Sequence, residues 1–375
     1  MSGLYVHVPF CVRKCAYCDF YSLAGCDDLI DSYIIDAVLG ECEAYRSMSF
    51  RTLYLGGGTP TVVGAENLTR LVGGLRNVFD LSQLDEATIE ANPESATNEM
   101  LVSALNMGFN RISIGVQSLS DVELKSVGRV HTARQAVDAI GTAKKFGFQN
   151  ISADLIAGLP GQTWDSLSAS IEGVLSLGIN HLSLYCLSLE HGTPLAQNPP
   201  DDLPSDDEQA DLFDQARVHL KDKGFVHYEI SNFALSGHEC KHNLNYWRGG
   251  EYLGLGPAAA SHLGGRRFKN RGDLKAYLED PTGVVEEVEE LWPEEKAAEE
   301  AMLRLRLLEE GLNVAEFTIR HGQGNVRNLL TRLGRLSREG SLLFDGARYR
   351  LEPSRVMTSN PILASVLEDS GNPIR

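Results

Sequence analysis

Six short apolar runs alternate with segments of helical spacing across the first half of the chain, and no other feature narrows its fold so far. The runs are LYVHV (4–8), TLYLG (52–56), ATIEA (87–91), RISIG (111–115), ISADLIAG (151–158) and HLSLYCL (181–187). Each has the length and the β-branched or aromatic content of a strand buried on both faces. Between them, Leu29 to Ala44, Ala65 to Phe79, Glu99 to Met107, Ala133 to Phe146 and Ser166 to Leu177 show helical spacing, several closed by a glycine. Strand alternating with helix predicts βαβ units around a parallel sheet, an α/β fold. Periodicity alone does not separate a partial (β/α) barrel from a doubly wound sheet. The placement of unusual residues favours the barrel. Clustered cysteines follow the first run, GGGTP (56–60) the second, EANP (90–93) the third and GVQS (115–118) the fourth, while the fifth carries Asp154 and ends in GLPGQ (158–162). Loops at the C-terminal ends of barrel strands build one mouth, so these stretches are expected to converge there.

A length of 375 residues suits about two domains. Residues 1–270 are expected to form the barrel and the region that follows it, with FVHYEISNFA (225–234) as a further strand. The texture changes near residue 275, and 275–375 is expected to be a smaller helical, winged-helix-like domain. Its acidic opening, 284–312, reads as helix-rich, and 326–352 reads as helix, turn and hairpin with Asp345-Gly346 in the tight turn. Arg327, Arg332, Arg335 and Arg338 are expected on a solvated helix face. Lys plus Arg is 34 against 51 Asp plus Glu, a net charge of −17 that argues against nucleic acid as a partner. With no targeting segment read at its start and no apolar run near the ~18 residues of a membrane span, the chain reads as cytoplasmic.

Three of seven cysteines, Cys11, Cys15 and Cys18, lie in FCVRKCAYCDF (10–20) with C-x3-C-x2-C spacing. An odd total argues against a closed disulfide set. Structural zinc normally takes four ligands, which would call on His7 or Cys26. A four-iron, four-sulfur cluster on three thiolates leaves one iron open. The triple, on a loop after the first strand, resembles the radical S-adenosylmethionine (SAM) superfamily. That resemblance implies a [4Fe-4S] cluster on Cys11, Cys15 and Cys18, with SAM chelated on the open iron and cleaved to a 5′-deoxyadenosyl radical when the cluster is reduced. GGGTP is similar to the superfamily's loop for the methionyl amino group, placing Gly57, Gly58 and Thr59 there. Glu90, Gln117, Arg129 and Asp154, with Tyr5 six residues before the first cysteine and Tyr17 just before the third, resemble the SAM-binding set of the oxygen-independent coproporphyrinogen III oxidase family. A guanidinium suits a carboxylate; carboxylates and an amide suit ribose hydroxyls or an ammonium.

The chain departs from that family's oxidases in having Phe20 at the place of their fourth cysteine and only ten residues before Cys11. Both departures, and HNLNYW from His242 to Trp247, resemble the HemW-like haem chaperone subgroup. The resemblance implies haem as a third ligand, with His242 on its iron and Tyr246 and Trp247 packing on the porphyrin, Cys240 being a thiolate alternative. YLGLGPAAASH (252–262) is also similar to the family, His262 being read there as a capped loop residue. Expected partners are a client haem protein docking on the C-terminal module, an electron donor if the cluster is redox-active, and a second copy in a homodimer. Two alternatives stay open: an oxygen-independent coproporphyrinogen III oxidase forming protoporphyrinogen IX, and another radical SAM enzyme such as a methyltransferase or a haem-degrading enzyme. Whether the chain is an enzyme at all is therefore open.

Overall fold

The computed structural model describes residues 2–367. Six strands, β1 (Ser2–Val8), β2 (Thr52–Gly57), β3 (Glu86–Ala91), β4 (Arg111–Gln117), β5 (Asn150–Ala157) and β6 (His181–Cys186), lie side by side in chain order, all parallel. They coincide with the six apolar runs. Strands covered on both faces lose the in-out alternation of a half-exposed strand, and β4 is buried at six of its seven positions. Helices Ala65–Val78, Asn98–Asn106, Ala133–Phe146, Trp164–Ser176 and Asp206–Asp222 cover the outside, each packed on the next. Local chemistry fixes their ends: Thr132 and Thr163 form capping boxes, and Gly147 closes its helix at φ 117°.

The remaining strands of the large sheet are β7 (Val226–Glu229), β8 (Asn232–Ala234), β9 (Glu251–Leu255), β10 (Ala260–Leu263), β11 (Arg266–Asn270) and β12 (Val285–Glu290). The twelve strands run β12-β11-β10-β9-β1-β2-β3-β4-β5-β6-β8-β7, with β9 parallel to β1 and an antiparallel meander, β10 to β12, beyond it. The architecture is a partial (β/α) barrel extended by antiparallel strands at both ends. Two local expectations are corrected. Residues 225–234 form a hairpin rather than one strand, because the chain turns at Ile230-Ser231 so that Phe233 returns opposite His227. Val285–Glu290 is a strand rather than the start of a helix, since its carboxylates meet cations across the pair, Arg266 to Glu290 at 3.2 Å and Lys269 to Glu287 at 4.0 Å. The large sheet thus continues past the change in composition near residue 275.

Beyond it, helices Pro293–Arg304, Val314–His321 and Gln323–Arg338 pack with a small sheet of β13 (Leu312–Asn313), β14 (Leu342–Phe344) and β15 (Arg348–Leu351), ordered β13-β15-β14. The expected hairpin is present: Asp345 accepts the backbone N–H groups of Ala347 and Arg348, and Gly346 takes φ 94°. Arg332 departs from the solvated face, because its guanidinium is buried and donates to the Val366 carbonyl. One hydrophobic core spans barrel and C-terminal unit, and Arg248 donates across to Glu310 at 2.6 Å.

Candidate functional site

The short strand Phe10–Cys11 continues the line of β1 and pairs with Leu23–Ala24, so the intervening loop must return on itself. A turn from Cys18 N–H to the Cys15 carbonyl at 3.2 Å tightens it, and Ala16 is pinned to the Val127 carbonyl at 3.1 Å. Cys11, Cys15 and Cys18 thereby line one cavity of about 310 Å³ at the C-terminal mouth of the parallel strands, together with Tyr17, Gly57, Gly58, Thr59, Glu90, Gln117, Arg129 and Asp154. Burial pushes the Cys11 and Cys18 thiols up, so iron must displace protons to bind there. Among the described residues, no three His, Cys, Asp or Glu side chains converge as a single metal ion requires. A cluster, whose cysteines bind different irons, needs no such convergence. Neither residue considered as a fourth zinc ligand lines this cavity: the His7 ring bonds the Tyr5 hydroxyl and the Tyr21 carbonyl, and the Cys26 thiol faces the Ala24 carbonyl.

The glycine loop is stitched to the cysteine strand. Gly58 N–H donates to the Val8 carbonyl and Thr59 N–H to the Phe10 carbonyl, both at 2.8 Å. A Cβ at Gly58 would sit 2.7 Å from the Phe10 carbonyl oxygen, and Gly57 adopts φ 109° against the His7 ring, so both positions demand glycine. Thr59 Oγ1 lies 3.5 Å from Cys11 Sγ and accepts from Asn92 at 2.9 Å. Glu90 accepts from the Tyr54 hydroxyl at 2.6 Å and Gly57 N–H at 3.1 Å, while burial, helped by Asp154, still pushes its carboxyl up to about 7. Asp154, likewise raised by burial, accepts from Ser113 at 3.0 Å. Arg129 donates to the Gly115 carbonyl at 2.6 Å and Asn92 at 2.8 Å and approaches Cys15 Sγ at 3.5 Å, leaving its buried Nε without a partner. Gln117 ends β4 at φ 64°, beyond a bulge that swings it into the cavity. A buried guanidinium with an unmet donor, carboxylates at the opposite wall and a bare glycine backbone fit a zwitterionic ligand with hydroxyl groups, as SAM is.

Tyr5 does not join this set. It lines a second, larger cavity of about 650 Å³, with His7, Tyr21, Tyr246, Trp247, Tyr252 and His262. Tyr5 and His7, two apart on one face of β1, bond each other at 2.9 Å, and the Tyr5 ring lies 6.2 Å from that of Tyr54. His242, expected as a haem ligand, lies behind this cavity rather than in it. Its imidazole is 1% exposed; Nδ1 bonds Thr52 Oγ1 at 2.8 Å and Nε2 bonds the Tyr246 hydroxyl at 2.7 Å, and burial holds its pKa near 3. Both nitrogens are committed, so an iron could reach it only after the motif came apart. Cys240 is similarly occupied, fully buried with its thiol on Glu86. Glu86 also accepts Lys241 and His242 N–H, fastening the first turn of the helix Lys241–Trp247. Tyr246 and Trp247 do reach the cavity, Trp247 with the Arg306 guanidinium 4.4 Å from the centre of its ring.

Asp19 and Phe20 border both cavities, so the end of the cysteine loop is a shared wall. Sequence reasoning missed Asn92, which stands in the noted EANP stretch two residues after Glu90, and Arg267 and Lys269, whose alternation in RRFKN was a legible strand signal.

Residues 5–172 match the radical SAM superfamily. A heme chaperone HemW of Lactococcus lactis is 39% identical over 309 residues, 81% of this chain and 81% of its own. One of Bacillus subtilis is 34% identical over 333 residues, 86% of this chain and 88% of its own. Among solved structures, Escherichia coli coproporphyrinogen III oxidase HemN, a radical SAM enzyme, superposes with a TM-score of 0.83 at 22% identity, covering 98% of this chain and 89% of that one. At that identity the likeness shows the fold.

Proposed function

The chain belongs to the HemW family of the radical SAM superfamily, and from this premise we propose that it is a haem chaperone, taking up haem and handing it to a client haem protein in the cytoplasm. The observation that carries the reading is a large aromatic-lined cavity distinct from the cysteine cavity, within the ~300–1,000 Å³ of ordinary ligand sites.

In this proposal Cys11, Cys15 and Cys18 hold the [4Fe-4S] cluster that the family implies, and SAM fills the remaining cavity. When bound, the pair supplies one-electron reduction at a sulfonium centre. Arg129, anchored by Gly115 and Asn92 on the cavity wall, supplies the cation for the SAM carboxylate. Gly57, Gly58 and Thr59 supply close-approach backbone for the amino group, and Glu90, Gln117 and Asp154 supply acceptors for ribose. Tyr17 closes the side of the cavity, and Tyr246 and Trp247 pack against haem in the aromatic cavity. The client docks on the C-terminal unit; an electron donor and a second copy of the chain complete the proposed partners. Among the described residues no helix is long and apolar enough to cross a membrane.

The test is an anaerobic titration of haem into cluster-reconstituted protein, followed by mixing with an apo haem protein. Saturable binding of one haem per chain and its release to the acceptor with the porphyrin intact are the expected results. Absence of saturable binding, or decarboxylation of coproporphyrinogen under the same conditions, overturns the reading, the latter in favour of an oxidase.

A further inference from the structure

We propose that the aromatic cavity binds haem through His262 on the iron and Arg267 and Lys269 on the propionates, an assignment that rests on the haem-chaperone reading and moves the ligand away from the HNLNYW motif. Three observations converge on it. First, His262 lines the cavity half-buried, and its Nδ1 faces the Gly250 carbonyl at 3.3 Å. That bond places the proton on Nδ1 and leaves the Nε2 lone pair free, the orientation a carbonyl partner imposes on metal-bound histidines. Among the described residues no protein group bonds Nε2, whereas His242 has both nitrogens engaged.

Second, the pairing of β10 with β11 sets His262 directly opposite Arg267, and Lys269 follows two residues on, so all three project from one face of the sheet. Both cations border the cavity. Arg267 is held by Glu299 and keeps its buried Nε without a partner; Lys269 is half-exposed, 4.0 Å from Glu287 at the rim. A haem presents one iron and two carboxylates on a single edge, and an imidazole with two cations to one side of it on the same sheet face matches that arrangement. Third, Tyr252 packs between the motif and the imidazole, 4.5 Å from the Tyr246 ring and 6.1 Å from His262 between centroids. Tyr246 thus gives the apolar wall, and His242 acts on haem only by holding Tyr246, as a positioning residue.

The experiment titrates ferric haem into the full-length protein and reads the Soret and visible bands with EPR of the iron, for wild type, His262→Ala, His262→Gln and His242→Ala. The expected result is a histidine-ligand signature in wild type that both His262 variants lose, with haem bound about tenfold or more weakly, and that added imidazole restores. His242→Ala is expected to keep the signature, and Lys269→Ala to weaken binding a few-fold with the signature unchanged. Retention of the wild-type spectrum by both His262 variants overturns the assignment, most directly if His242→Ala loses it, while leaving the haem-chaperone reading intact. A wild type that binds no haem overturns both.

Discussion

The two cavities share a wall yet are made in different ways. The cysteine cavity sits at the ends of parallel strands and is lined by polar groups that hold one another: Glu90 on Tyr54, Asn92 between Thr59 and Arg129, Asp154 on Ser113. The aromatic cavity is flanked by β1 and an antiparallel meander, lined by rings, with Lys269 half-exposed at its rim. Pre-organised polar groups suit a small charged ligand held in one pose, whereas flat walls and peripheral charge suit a large planar one that must leave again. The difference teaches that the fold separates a polar cavity from an aromatic one while letting one loop, through Asp19 and Phe20, touch both.

The separation can be broken from either side. The largest effect is expected from replacing Cys11, Cys15 and Cys18 together by Ala: iron content and SAM binding fall to background, while the haem Kd stays within about twofold. Iron analysis and paired titrations check this, and a parallel loss of haem binding would merge the two cavities into one functional unit. Next comes Arg129→Ala, which removes a buried charged donor and should weaken SAM by roughly 10–100-fold with the iron retained, as equilibrium dialysis would show. Tyr246→Phe strands the Nε2 of His242 in the core. It is expected to cost about 1–3 kcal/mol of stability by denaturant unfolding, and to lower haem affinity only modestly, leaving SAM binding unchanged.

The last prediction sharpens the comparison through pH, because each half contains a buried carboxyl near 7. Glu90 serves the cysteine cavity; Glu41 ties Asn270, the Gly256 N–H and Tyr277 together behind the aromatic one, with burial as the main cause of its raised value. A folded value of about 7 against 4.5 unfolded means that the native state binds the extra proton between those limits. Each group's contribution is therefore full below pH 4.5 and lost as pH rises through 7, at most roughly 3 kcal/mol apiece. Glu41→Gln should flatten the fall in Tm between pH 5 and 8 without altering the pH dependence of SAM binding, and Glu90→Gln should alter the latter. Identical pH profiles for the two variants would remove the distinction.

What could be read beforehand follows the same division. The parallel strands were legible because burial on both faces writes itself as unbroken apolar runs, and the cysteine loop because its ligands are local. The aromatic half was less so. VEEVEE of β12 satisfies helix propensity and reads as helix, and only Arg266 and Lys269 opposite make it a strand. The burial of His242 is not legible in its motif because the partner that occupies its Nδ1, Thr52, lies on β2, far away in the chain. Tyr5 keeps its motif spacing to Cys11, but spacing does not say which way a strand residue faces.

β12 carries one more consequence. It is the outermost strand of the large sheet, and all six of its residues are exposed. A bare edge of this kind is a template on which a stray strand from another molecule can crystallise into fibrous growth. Glu286, Glu287, Glu289 and Glu290 cover it on both faces. Recruitment of a like strand would double that negative charge at close range, so the edge works as a solubility guard, and any stable pairing of two copies must be sought on a different face.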